Sequence, residues 1–238
     1  MLSKLLFICK VAKREDNKKL EEGVIINNVR NWLFPIVIII MSSLYIFVWN
    51  SMIFKLIPMV LIIVYGLMQL PKKKELHHYL VIIGLLFCML GDYSLQWFII
   101  GLFSFLIGHI FYILAFNLRR SKGKRNNLMG LFISAYAIIM AIIMVKSLIE
   151  GQKGGLIVPV ILYIFVISLM VWIAWLTKNI WIMIGSLSFM VSDSILAWNM
   201  FVSSVDVASL LIMSTYYGAQ FCFARSLHRP MSSSSARQ

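Results

Sequence analysis

The chain has 238 residues, of which 61% are hydrophobic and only 13% charged, and its mean hydropathy is +0.89. A soluble domain would carry about a quarter charged residues spread among apolar ones; here the apolar residues fall in long runs, which excludes a soluble globular fold. The net charge of +13 would suggest a nucleic-acid partner in a soluble protein, but the basic residues sit between hydrophobic runs without interleaved aromatics, so no nucleic acid is expected.

In chain order, residues 1–31 read as a basic cytosolic arm. Lys4, Lys10, Lys13, Arg14, Lys18 and Lys19 suit the neighbourhood of anionic lipid headgroups; a solvated, disordered tail is the alternative. The apolar run from Leu5 to Cys9 is too short for a signal peptide, and no small-residue cleavage site follows it. Residues 32–226 form one all-α, multi-pass membrane domain. Its predicted spans are 32–49, 52–70, 78–96, 98–118, 128–147, 155–176, 180–200 and 206–226, each near the roughly 20 residues that cross a hydrocarbon core. Residues 227–238, with the run from Ser232 to Ser235, read as a disordered tail. Cys9, Cys88 and Cys222 are isolated, without metal-ligand spacing, and read as small core residues.

The basic residues give an independent check on the span count. With eight spans, both termini and the loops after spans two, four and six share one side, and 19 of the 22 Lys and Arg lie there. Lys146 and Lys153 face the other way, and Lys55 lies inside span two. This asymmetry puts both termini in the cytoplasm. A seven-span or nine-span count would scramble it.

Two segments echo each other. Gly91-Asp92-Tyr93-Ser94-Leu95-Gln96-Trp97 closes span three, and Ser192-Asp193-Ser194-Ile195-Leu196-Ala197-Trp198 closes span seven. Both read small-Asp-x-x-Leu-x-Trp. Spans three and seven run in the same direction, which hints at two parallel four-helix halves and sets the aspartates at comparable depth in the outer half of the bilayer.

A carboxylate in hydrocarbon is expensive, so Asp92 and Asp193 should face the bundle interior, a partner or a water-filled cavity. A purely structural role, such as pairing with Lys55, is one reading; an active site is the other. The polar groups available to it are Lys55 before Pro58, His109 and Tyr112 on one face of span four, and Ser192. Span eight adds Tyr216, Tyr217 and Gln220, with Tyr216 and Gln220 on one face. Each has a plain alternative: Lys55 can snorkel outward, His109 can bridge helices, and the tyrosines can pack. There is no Gly-x-Ser-x-Gly elbow, His-Glu-x-x-His, P-loop or carboxylate-rich metal cluster. Two carboxylates, an imidazole, an amine and several hydroxyls suit acid–base chemistry, with no metal or organic cofactor required.

These residues also fall into a familiar order. Gly91-Asp92-x-x-Leu95 followed by Phe98-x-x-Gly101-Leu102-x-x-Phe105-x-x-x-His109-x-x-Tyr112 resembles the first signature of the YhhN-like lysoplasmalogenase family. Gly185-x-x-x-Phe189-x-x-Ser192-Asp193, with Phe201 after it, is similar to the second, and Met213-Ser214-Thr215-Tyr216-Tyr217-x-Ala219-Gln220 to the third. Lys55-x-x-Pro58 resembles an element of the family's early span. The resemblance covers about residues 52–226 and leaves out the basic arm.

The resemblance implies an eight-span hydrolase that cleaves the vinyl ether bond of lysoplasmalogens, releasing a fatty aldehyde and glycerophosphoethanolamine or glycerophosphocholine. The family's two essential aspartates fall on Asp92 and Asp193. The substrate-binding or orienting positions fall on Lys55, His109, Tyr112, Ser192, Tyr216, Tyr217 and Gln220. Animal members further imply the endoplasmic reticulum. Vinyl ether hydrolysis needs an acid, a nearby negative charge and a held water. Two buried, mutually repelling carboxylates can supply the first two, one keeping its proton while the other stays ionised; which is which stays open. So do headgroup preference and oligomeric state, a homodimer included. The main rival is a proton-coupled or lipid transporter using the same carboxylates, and a non-catalytic lipid-binding protein is the third reading.

Overall fold

A computed structural model describes residues 29–48, 51–121 and 127–228. Among them are eight α-helices: α1 (Phe34–Phe47), α2 (Met52–Met68), α3 (Leu76–Ser94), α4 (Phe98–Leu118), α5 (Asn127–Glu150), α6 (Ile157–Leu176), α7 (Ile180–Phe201) and α8 (Ala208–Arg225). A π-helical turn, Val29–Leu33, leads into α1, and a 3-10 turn, Gly154–Leu156, leads into α6. Each α-helix coincides with one predicted apolar run to within about three residues. The arm through residue 28, with Cys9, and the tail beyond residue 228 lie outside the described residues.

Five helical segments are long and apolar enough to cross a membrane: α3, α4, Leu128–Glu150 of α5, α6 with its 3-10 turn, and α7. Asn31–Phe47 and Met52–Met68 are apolar but shorter. At 1.5 Å per residue, the 17 residues of α2 reach less than the roughly 30 Å hydrocarbon core. Helix α8 is only 18 residues long and is the most polar, because Thr215, Tyr216, Tyr217 and Gln220 interrupt its apolar run. Many exposed side chains of the described helices are hydrocarbon. Leu131, Phe132, Ile138, Ile139 and Ile142 on α5 are all exposed, a contiguous apolar face of the kind that meets lipid.

Helix starts follow local chemistry. Asn179 Oδ1 accepts the Trp181 and Ile182 amides at 3.0 and 3.3 Å and opens α7. Glu75 and His78 form a reciprocal capping box at the head of α3. The closest helix pairs are α3 with α4 and α7 with α8, and glycines let them approach. A methyl group at Gly91 would lie 2.8 Å from the Phe105 ring, and one at Gly185 would lie 2.8 Å from the Phe223 ring. These same two pairs carry the aspartates.

The two echoing segments end differently. Helix α3 stops at Ser94, where the Trp97 amide turns back to the Ser94 carbonyl at 2.9 Å. Gly101 sits so close that a Cβ there would be 2.7 Å from the Leu95 backbone. Helix α7 instead continues two turns past Asp193 to Phe201. Asp92 is therefore near the end of its helix and Asp193 well inside its own.

Candidate active site

Asp92 is 3% exposed and is contacted by polar side chains from two other helices. Lys55 from α2 brings its Nζ to 3.3 Å from Asp92 Oδ1 and donates to the Asp92 carbonyl at 3.3 Å. From α8, the Tyr216 hydroxyl donates to Asp92 Oδ2 at 2.6 Å. Both carboxylate oxygens thus have a donor, and the positive charge lies directly against one of them. The Lys55 side chain is only 13% exposed, so it turns inward to the carboxylate and does not snorkel to the outer interface. Tyr217 holds the same corner from behind, its hydroxyl donating to the Lys55 carbonyl at 2.7 Å, near the point where Pro58 interrupts the α2 hydrogen-bond ladder.

Asp193 has different company. Its Oδ2 accepts a short hydrogen bond from the Tyr163 hydroxyl of α6. Tyr136 of α5 is joined to Ser194, the next residue along α7. No cation pairs with Asp193 among the described residues.

The two aspartates line one cavity of about 220 Å³, together with Lys55, Ser192, Tyr216, Asn199 and Ser209. Five of the nine predicted site residues therefore meet there: Lys55, Asp92, Ser192, Asp193 and Tyr216. Ser192 is in the wall, but its hydroxyl donates to the Ile212 carbonyl at 3.0 Å, so it clasps α7 to α8.

The other four lie off the cavity. Tyr112 donates to Gln220 Oε1 at 2.6 Å in a fully buried contact between α4 and α8. His109 gives its Nδ1 proton to the Phe105 carbonyl one turn back, at 2.7 Å. Its ring packs edge-on against Phe189 and Tyr163, at 4.5 and 5.3 Å between centroids. That bond leaves Nε2 as the ring's acceptor in the neutral form, and Nε2 is buried without a partner among the described residues, as is Gln220 Nε2. Tyr217, as above, braces α2.

Sequence reasoning missed Tyr163. Its only linear signal is a lone hydroxyl midway through the apolar run of α6, and its partner lies 30 residues on. Among the described residues no group of three or more His, Cys, Asp or Glu could hold a metal ion. Asp92, Lys55, Tyr216 and Asp193 thus share one small cavity among apolar helices, and Tyr163 reaches Asp193 from outside it.

Fold and site together define an all-helical protein of membrane character with a paired-carboxylate cavity. The chain belongs to the YhhN family, whose sequence model matches residues 50–227, in keeping with the resemblance drawn from its motifs. It is 30% identical over 206 residues to a Mus musculus protein named lysoplasmalogenase TMEM86B, covering 81% of this chain and 84% of that one. A Bos taurus protein named lysoplasmalogenase TMEM86A is 29% identical over 161 residues, covering 61% of this chain and 64% of the relative. The Homo sapiens lysoplasmalogenase TMEM86B is 30% identical over 152 residues, covering 61% and 62%. No solved structure matches the chain significantly.

Proposed function

We propose that this chain is a lysoplasmalogenase, a hydrolase of the vinyl ether bond of lysoplasmalogens, and that Asp193 and Asp92 carry the reaction as proton donor and carboxylate base. The observation that carries the assignment is the unequal company of two aspartates in one cavity. Lys55 neutralises Asp92, and Tyr216 supplies a second donor, so the ionised form is the one its site is built for. Asp193 has no such cation. A second bare carboxylate among apolar helices would be costly, and Tyr163 occupies Oδ2 while leaving Oδ1 to carry a proton. The lysoplasmalogenase names of relatives at about 30% identity point to the same substrate.

The steps balance as follows. Asp193 gives its proton to the vinyl carbon remote from oxygen, and the carbon bonded to oxygen becomes an oxocarbenium centre beside the Asp92 carboxylate. Water in the cavity adds to that centre as Asp92 takes one of its protons. The hemiacetal then collapses: its hydroxyl proton returns to Asp193, the bond to the glycerol oxygen breaks, and that oxygen takes the proton held by Asp92. One water is consumed, and the products are a fatty aldehyde and the glycerophospho-alcohol. Lys55 balances charge throughout and offers its remaining N–H bonds to the phosphate.

The topology proposed with this is eight spans with both termini cytoplasmic, supported by the distribution of Lys and Arg. Lys55 near the start of α2, Asn199 near the end of α7 and Ser209 near the start of α8 then open the cavity on the non-cytoplasmic side. In a Cys9→Ser background, Lys153→Cys should react with an impermeant thiol reagent from that side only; labelling from the cytoplasm would invert the arrangement.

A transporter would also place carboxylates in a bundle, so the test must separate chemistry from movement. Purified protein in detergent should release aldehyde from lysoplasmenylethanolamine or lysoplasmenylcholine. Flux of intact lipid in proteoliposomes, with no aldehyde from either lipid, would favour transport instead.

A further inference from the structure

Asp193 is shared by two compartments, one that also holds Lys55 and Asp92 and one that is almost wholly apolar. On one side is the polar cavity. On the other is a narrow, partly open apolar cleft of about 60 Å³ between α4, α5, α6 and α7, and Leu95, Phe105 and Leu196 belong to both walls. The cleft walls are aliphatic and aromatic, among them Leu102, Met140, Val160, Ala197 and Phe201. Apart from Asp193 Oδ1, its polar side-chain atoms are consumed internally: Tyr136 is bonded to Ser194, Ser194 also donates to the Met190 carbonyl at 2.5 Å, and Tyr163 donates to Asp193. A compartment whose polar groups satisfy one another offers a ligand only hydrocarbon contact, and apolar cavities of this kind stay dry and take apolar guests.

We propose that this cleft is the tail subsite: it receives the alkenyl chain next to the vinyl ether, while the headgroup occupies the polar cavity beside Lys55. The inference rests on the hydrolase reading above and adds to it where each end of the substrate lies. A lysoplasmalogen is an amphiphile whose scissile bond sits at the junction of its polar and apolar parts. Asp193 sits at the corresponding junction of the two compartments, so seating the chain in the cleft carries the vinyl group across its carboxyl. The same seating keeps bulk water on the headgroup side, where Asp92 lies. Phe98 and Phe201, edge-to-face at 5.6 Å between centroids, line the cleft where α4 begins and α7 ends.

The subsite makes bulk inside the cleft a chain-specific defect. In Ala197→Phe, and separately in Val160→Phe on the opposite wall, KM for a 16-carbon lysoplasmenylcholine should rise roughly tenfold, the factor for excluding about two buried methylenes. The 1-propenyl analogue, with a single methyl beyond the vinyl group, should keep its kcat. The saturated ether 1-O-hexadecyl-glycerophosphocholine, which has no bond to hydrolyse, should lose affinity as an inhibitor by the same factor. Unchanged long-chain KM and unchanged inhibition in either folded variant would overturn the tail subsite and leave the hydrolase reading standing. An unsubstituted protein that cleaves neither the long nor the short substrate would overturn the hydrolase reading, and this one with it.

Discussion

Asp92 and Asp193 sit in segments that read almost alike, small-Asp-x-x-Leu-x-Trp, yet their surroundings in the fold are unlike. Asp92 lies two residues from the end of α3, with an ammonium group on one oxygen and a phenol on the other. Asp193 lies two turns inside α7, with a phenol on one oxygen and an apolar cleft at its side. A repeated motif thus sets where each carboxyl group lies along the chain, and neighbours on other helices set what it bonds to. Lys55 and Tyr163 come from α2 and α6, helices that the echo does not include. One motif used twice can therefore supply the two unlike carboxyl groups that the proposed acid and base require.

The sharpest way to break this comparison is to remove each carboxyl while keeping its size. Asp193→Asn and Asp92→Asn should each lower kcat by about 10²–10⁴-fold, the scale of general acid–base help, with both proteins still folded by thermal unfolding in detergent. A folded Asp193→Asn that turns over at the original rate would remove the proton donor from the scheme. Next in size is the ion pair. Lys55→Met leaves a buried carboxylate without its charge partner and should cost about 3–5 kcal/mol of stability. The Lys55→Met, Asp92→Asn double variant should regain most of it. Equal destabilisation in single and double variants would show that the pair is not coupled.

Tyr163→Phe sharpens the other side of the comparison. It removes one hydrogen bond to a carboxyl group, worth about 1.5–3 kcal/mol, so kcat should fall about 10- to 100-fold with KM little changed. A rise in KM alone would recast Tyr163 as a substrate contact. The smallest effect belongs to Ser192→Ala, which loses a clasp between α7 and α8 of about 1 kcal/mol and should leave kcat unchanged. A large loss of kcat there would return Ser192 to the chemistry.

Much of the site was legible because charge is conspicuous in hydrocarbon. Asp92, Asp193 and Lys55 are interruptions of apolar runs, and burial cost alone draws them inward. Tyr216 was legible from its place in span eight, and the structure joins it to Asp92. Helix boundaries were legible because each apolar run is punctuated by charge or by a capping group such as Asn179. Tyr163 was not, since a tyrosine among aliphatic residues gives no linear signal of which helix it will face. The division of labour was also hidden. His109, Tyr112, Tyr217 and Gln220 share the family signatures with the aspartates, but the rotation of α4 and α8 turns them to helix contacts beside the cavity. Periodicity puts residues on a common face without saying what that face meets. The unequal distance of the two aspartates from their helix ends was hidden for a similar reason: Gly101 permits the tight turn that ends α3 early, and α7 has no counterpart.

The central claim is that Asp193 protonates a vinyl carbon, and one measurement reaches it directly. Purified protein and its Asp193→Asn variant would be given lysoplasmenylethanolamine in deuterium oxide, and the aldehyde analysed by mass. The account predicts one deuterium on the carbon next to the carbonyl and almost no aldehyde from the variant. Aldehyde without deuterium at that carbon, or full-rate release from a folded Asp193→Asn, would contradict it.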